Sequence, residues 1–146
     1  MNKQLLELAQ RAVACDHWRW MVGTPAVAEF HGEKVGLVCI YANHQHMADF
    51  YCLDYGEEWE NIHVGDQRSM GMLPDLNNPA TLGCLLHLVR EAWGDSGAYA
   101  SPHPHFYDNG ELLWRVHAGG KFLPIPSKGS HSEAHALITA LEAADE

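Results

Sequence analysis

Basic side chains are scarce in this chain: 9 Lys and Arg stand against 19 Asp and Glu, for a formal net charge of −10. General binding to nucleic acid or to an anionic membrane needs a basic patch, so that balance argues against both, while leaving room for a local basic pocket. Long hydrophobic runs are also missing, and none reaches the length needed to span a bilayer. The opening residues, MNKQLLELAQRA, place polar and acidic side chains at helical spacing and lack the uninterrupted apolar stretch of a signal peptide, so a cytoplasmic location is expected. Cys15, Cys39, Cys52 and Cys84 make no CxxC pair, and three of them lie inside apolar segments. Buried, reduced thiols are the expectation. No glycine-rich phosphate loop of the usual kinds occurs, and no motif implies a cofactor.

What is present reads first as architecture. Hydrophobic residues make up 47% of the 146 positions and charged residues 19%, the composition of a globular chain long enough to bury a core. A single domain over residues 1–146 is expected. The best-marked stretch is residues 73–93, LPDLNNPATLGCLLHLVREAW. Asn78 suits an N-cap, Pro79 the first helical position, and Gly94 the helix stop. Between them Leu82, Leu85, Leu86, Val89 and Trp93 share one broad face, widened by Cys84, Leu88 and Ala92. Gly83, His87, Arg90 and Glu91 form the narrower polar stripe.

Two further helices are predicted, over residues 3–14 and near 131–143. In the second, Ser130 reads as the cap and Glu133 as its capping-box partner. Strands are predicted over residues 26–30 and 34–41, flanking a three-residue loop at His31-Gly32-Glu33, then over 49–55 and 59–64. Residues 65–72 read as loop. After the central helix come a short strand at 98–101, a hairpin of 103–107 and 111–117 around Asp108-Asn109-Gly110, and an edge strand at 121–125 bounded by Pro124 and Pro126. The order of helix, strands, helix, strands, helix predicts an α+β fold with an antiparallel sheet and helices packed on it. Open sheet edges make a homo-oligomer the expected state.

The segment PDLNNPATLGCLLHLVREAW, residues 74–93, resembles a motif of small bacteriophage and prophage proteins. Those proteins also open with a short helix and a tryptophan-containing run like His17-Trp18-Arg19-Trp20, and close with a helix like residues 132–143. The order of elements is similar to the phage ABA-sandwich domain, in which helices pack on both sides of an antiparallel sheet. The resemblance is specific over the central segment and general at the two ends, and residues 22–72 have no counterpart in it. It implies a mobile-element origin and a host cytoplasmic setting. It carries no catalytic residues, because no activity defines those proteins. Accessory genes of this kind often act on host defence, an analogy of gene setting and not of site chemistry.

Several clusters have the residue types of a site. His44 and His46, with Asp49, have the alternation by which a strand can present ligands to zinc. The competing reading is a polar loop whose histidines cap turns. His103 and His105 repeat the spacing. Trp18-Arg19-Trp20 can stack on bases and pair with phosphate, or its indoles can be core staples between helix and sheet. Arg115, between Trp114 and Val116, and Lys121 could supply a local positive site, or lie on a solvated strand face. Glu57-Glu58-Trp59-Glu60 is the most acidic run and reads as a solvated hairpin loop. Ser130 and Ser132 beside His131 and His135 are explained by helix capping without nucleophilic chemistry.

Two functions of different kinds follow. The first is a non-catalytic binding protein taking a small nucleotide-derived ligand, with Trp18, Arg19, Trp20, His103, His105, Arg115 and Lys121 as its candidate residues. In the phage setting that ligand would be a host immune signal, sequestered as counter-defence. The second is an acidic protein–protein module inhibiting a basic host protein. A metal-dependent hydrolase on His44, His46 and Asp49 is a third.

Overall fold

A computed structural model describes residues 3–30, 32–43, 47–63, 72–108, 111–124 and 130–144. The elements run α1 (Lys3–Ala14), β1 (Pro25–Phe30), β2 (Glu33–Asn43), β3 (Met47–Cys52), β4 (Glu57–His63), β5 (Leu73–Pro74), α2 (Pro79–Trp93), β6 (Tyr99–Asp108), β7 (Glu111–Ala118), β8 (Lys121–Phe122) and α3 (Glu133–Ala143). Three helices with antiparallel strands make this an α+β fold. The strands form two sheets, of five and three strands. By its internal contacts the chain divides into two compact units, Met1–Ala14 with Trp18–Cys84 and Cys15–His17 with Leu85–Glu146, so that one division falls inside α2.

The first unit carries the five-stranded sheet, in the order β4-β3-β2-β1-β5. Its strands follow from alternation. Val35, Leu37 and Cys39 are buried, as are Ala48, Phe50 and Cys52 on the neighbouring strand. Leu37 pairs with Cys52 and Cys39 with Phe50. Trp20 meets Phe50 edge to face at 5.0 Å between ring centroids. Trp18 meets Trp20 in the same way at 5.3 Å. α1 contributes Ala9 and Ala12, both fully buried, and packs nearest β5. Thr24 is buried beside this core: its hydroxyl accepts from Met21 N–H at 3.3 Å and donates to Cys84 Sγ at 3.4 Å.

Three details differ from the sequence reading. Phe30 pairs with Glu33, so the first hairpin loop is one residue shorter than expected. The acidic run opens β4 and is not a loop: Glu57 pairs with Cys52 and Trp59 with Phe50. Trp59 is buried, while Glu57 and Glu58 before it are exposed. Leu73–Pro74 form an edge strand on β1, held by Ala26 and Val27, before the chain turns into α2. Two residues are too few for a periodic signal.

Helix α2 starts and stops as its sequence predicts. Asn78 Oδ1 accepts from Ala80 N–H at 2.9 Å. At the other end Gly94 has φ +61°, its N–H donates to Glu91 O, and Asp95 N–H donates to Arg90 O. This pair of bonds is the Schellman stop.

The second unit carries the C-terminal part of α2, the sheet β6-β7-β8 and α3. The expected strands at 98–101 and 103–107 are one element, β6, whose register with β7 shifts between Pro102 and Tyr107. Asn109-Gly110 lies outside the described residues. β8 is shorter than expected, at Lys121–Phe122. α3 packs against β7 and β6 and buries Ala134, Ala136, Leu137, Ile138, Ala140 and Leu141. Its N-cap is Ser132, whose Oγ accepts from His135 N–H at 3.1 Å, in place of the expected Ser130. Ser130 is buried and its carbonyl accepts from Trp114 N–H at 2.7 Å, so its backbone is tied to β7 and not to the helix end. Among the described residues no helix is long and apolar enough to cross a membrane.

Candidate ligand-binding site

The site is built where α2, β7, β8 and α3 meet within the second unit. Trp93 closes the last turn of α2, and its indole N–H donates to Ala140 O at 2.9 Å. That carbonyl lies in the last turn of α3, where Ala144 N–H bonds back to Leu141 O instead, so the indole fills a position the helix leaves open. Gly119 approaches the other side of the ring. A Cβ there would sit 3.2 Å from Trp93, a tight contact, and the residue has φ +64°, a backbone that favours glycine. Asp95 holds the same turn, its carboxylate accepting from Gly119 N–H at 3.1 Å and from Gly97 N–H at 2.9 Å. Trp93 is thereby fixed as one wall.

Beside it lies a cavity of about 390 Å³. Trp93, Trp114, Val116 and Leu123 supply apolar walls, Ala136, Ala140 and Ala143 the small side chains that leave the space, and Arg115, Lys121, Ser130 and Thr139 the polar groups. This is the usual make-up of a small-molecule site: mostly apolar, with a few convergent polar groups. Two buried atoms in that lining, Arg115 Nε and Thr139 Oγ1, have no hydrogen-bond partner among the described residues. An unmade bond of this kind costs about 1–3 kcal/mol, more for a charged group. The Arg115 guanidinium lies over the Phe122 ring, 3.6 Å from its centroid. Phe122 in turn meets His117 edge to face at 5.0 Å, and His117 stacks on Tyr99 at 5.2 Å. The cation is therefore held by aromatic packing, with its Nε–H unsatisfied.

Of the residues singled out by sequence, the structure brings Arg115 and Lys121 to this cavity. His103 lies in β6 and is not among the residues lining it, and the side chain of His105 lies outside the described residues. Trp18, Arg19 and Trp20 belong to the first unit. The two indoles are 6% and 3% exposed, so their rings are occupied by each other and by Phe50 and present no open face for stacking, while Arg19 is exposed. His44 and His46 lie outside the described residues. Asp49 is in β3, and among the described residues no group of three or more His, Cys, Asp or Glu side chains is placed to hold a metal.

Trp93 and Thr139 were not anticipated as site residues. Trp93 read as part of the apolar face of α2, which it is, and Thr139 gave no signal in an alanine-rich helix. Among the titratable groups, Cys39 stands out: burial, helped by Asp49 and Cys84 nearby and opposed by a hydrogen bond from the Tyr41 backbone, pushes its thiol up to about 11. It is a core thiol and not a nucleophile. No protein-family model matches the chain, and neither a curated protein nor a solved structure matches it significantly.

Proposed function

We propose that the chain is a non-catalytic binding protein, of the phage accessory kind that residues 74–93 resemble, and that its second unit holds a small nucleotide-derived anion. In a phage setting such a protein would sequester a host immune signal. One observation carries the reading: Arg115 and Thr139, two residues that line the same cavity, each carry a buried polar atom, Nε and Oγ1, with no partner among the described residues. A ligand phosphate would accept from the guanidinium in a charge-assisted bond and from the threonine hydroxyl in an ordinary one. Lys121 adds a second positive charge, in a protein whose net charge is otherwise strongly negative. Trp93 and Trp114 supply flat apolar walls suited to a base.

The test is a thermal-shift screen of untagged protein against cyclic oligonucleotides and ADP-ribose derivatives. Ligand at about 100 times its Kd stabilises the fold by about 2.7 kcal/mol, a readily measured rise in Tm. The rise should disappear in Arg115→Met. A flat response across the panel would remove this reading.

A further inference from the structure

The first unit carries a second surface, unrelated to the cavity. On the face of the five-stranded sheet opposite Phe50, Val38 pairs with Tyr51 and Tyr51 with Glu58. The register break between Cys39 and Tyr41 adds a residue to β2 and brings both Ile40 and Tyr41 to the surface. Leu53 and Tyr55 follow in the turn after β3. Leu53 is 63% exposed and Tyr41 55%, high values for large apolar side chains. Glu58 pairs with Tyr51, while Glu29 and Asp54 lie at the Gly36 end of the sheet beside Lys34, which pairs with Glu29 and is the one Lys or Arg among the described residues of β1–β4. Asp54 is fixed there by accepting from Gly36 N–H at 2.7 Å.

We propose that this face docks an arginine-rich segment of a protein partner. Tyrosine rings among carboxylates suit a guanidinium twice over, through the ring face and through the charge. A second copy of the chain is the poorer occupant, because each copy would bring the same surplus of carboxylates and the same net charge of −10. Exposed apolar side chains clustered on one sheet face mark an interaction surface more than scattered ones do.

Fluorescence anisotropy of a labelled peptide alternating Arg and Ser, titrated with the full chain at low salt, tests the proposal. Saturable binding is expected, weakened about tenfold by Tyr41→Ser with Leu53→Ser, and several-fold by Glu29→Gln with Glu58→Gln. Glu7→Gln with Glu91→Gln removes the same charge from exposed positions on α1 and α2, and should change binding by less than about twofold. Unchanged melting curves confirm that each variant folds. The proposal is overturned by absent binding, by equal losses in the two glutamine variants (which would mean charge alone), or by an unaffected Tyr41→Ser/Leu53→Ser variant. Sedimentation showing a dimer that this serine variant dissolves would also overturn it, by assigning the face to self-association.

Discussion

The two units leave the same kind of defect in different surroundings. In the first, Trp18 Nε1 and Thr81 Oγ1 are buried without a partner among the described residues, and neither residue lines the cavity. Trp18 sits in an edge-to-face aromatic stack, and Thr81 is fully buried on α2. In the second, Arg115 Nε and Thr139 Oγ1 are equally unpartnered among the described residues, but they belong to two residues that line one cavity. An unmade bond in a closed core is a cost of packing. The same unmade bond on a residue that lines a cavity can be made by a ligand once the side chain turns toward it. Burial alone does not separate the two cases; the space beside the atom does.

Substitutions can break this contrast, and the largest effect belongs to the closed core. Phe50→Ala should lower stability by about 3–5 kcal/mol in denaturant melts, because a fully buried ring leaves a hole that its neighbours cannot fill. A loss below about 1 kcal/mol would show that the core is loosely packed. Arg115→Met should weaken the binding of a nucleotide-derived ligand by about 1.5–3 kcal/mol, the value of a hydrogen bond to a charged group, with titration calorimetry as the measurement. Enlarging alanines should separate the units more finely. Ala28→Leu, in the buried face of β1, should cost about 1–3 kcal/mol through overpacking. Ala143→Leu enters the cavity and should cost less than about 1 kcal/mol while abolishing ligand binding. Equal costs would remove the distinction between a filled core and an open one.

A smaller effect tests the core thiol. The Cys39 pKa is raised from 9.0 to about 11, chiefly by burial. The unfolded chain ionises first, so the stabilising contribution is complete below pH 9 and is lost as pH rises from 9 towards 11. Replacing Cys39 by Ala should remove that part of the alkaline decline in urea melts across this range. An identical decline in the variant would contradict the assignment.

Much of the fold was legible because its signals are local. Asn78-Pro79 and Gly94 write the ends of α2 into the chain, and the alternation of Val35, Leu37 and Cys39 writes β2. What was misplaced depends on tertiary contact. Ser130 and Ser132 are equally good caps in sequence, and the bond from His135 N–H to Ser132 Oγ assigns the role to Ser132, while Trp114 N–H takes the Ser130 carbonyl. Glu57 and Glu58 read as loop ahead of the strand expected from Trp59, and only their pairing with Cys52 and Tyr51 carries β4 back through them. The site was half legible. Arg115 and Lys121 stood out as rare cations, whereas Trp93 and Thr139 acquire meaning only when α2 and α3 meet β7 around a cavity. Trp18 and Trp20 left two readings open, because alternation gives two indoles a common side without saying whether that side is open; their burial makes them core.

The most direct test of the contrast compares two matched deletions, Thr81→Val and Thr139→Val, by the rise in Tm that a nucleotide-derived ligand produces. Each removes one unpartnered buried hydroxyl at nearly constant volume, and without ligand each should leave stability unchanged within about 1 kcal/mol or slightly raised. With ligand, Thr81→Val should keep the full rise in Tm and Thr139→Val should lose much of it. The same full rise in both variants would show that the vacancy at Thr139 is a packing defect like the one at Thr81, and that the cavity is not a binding site.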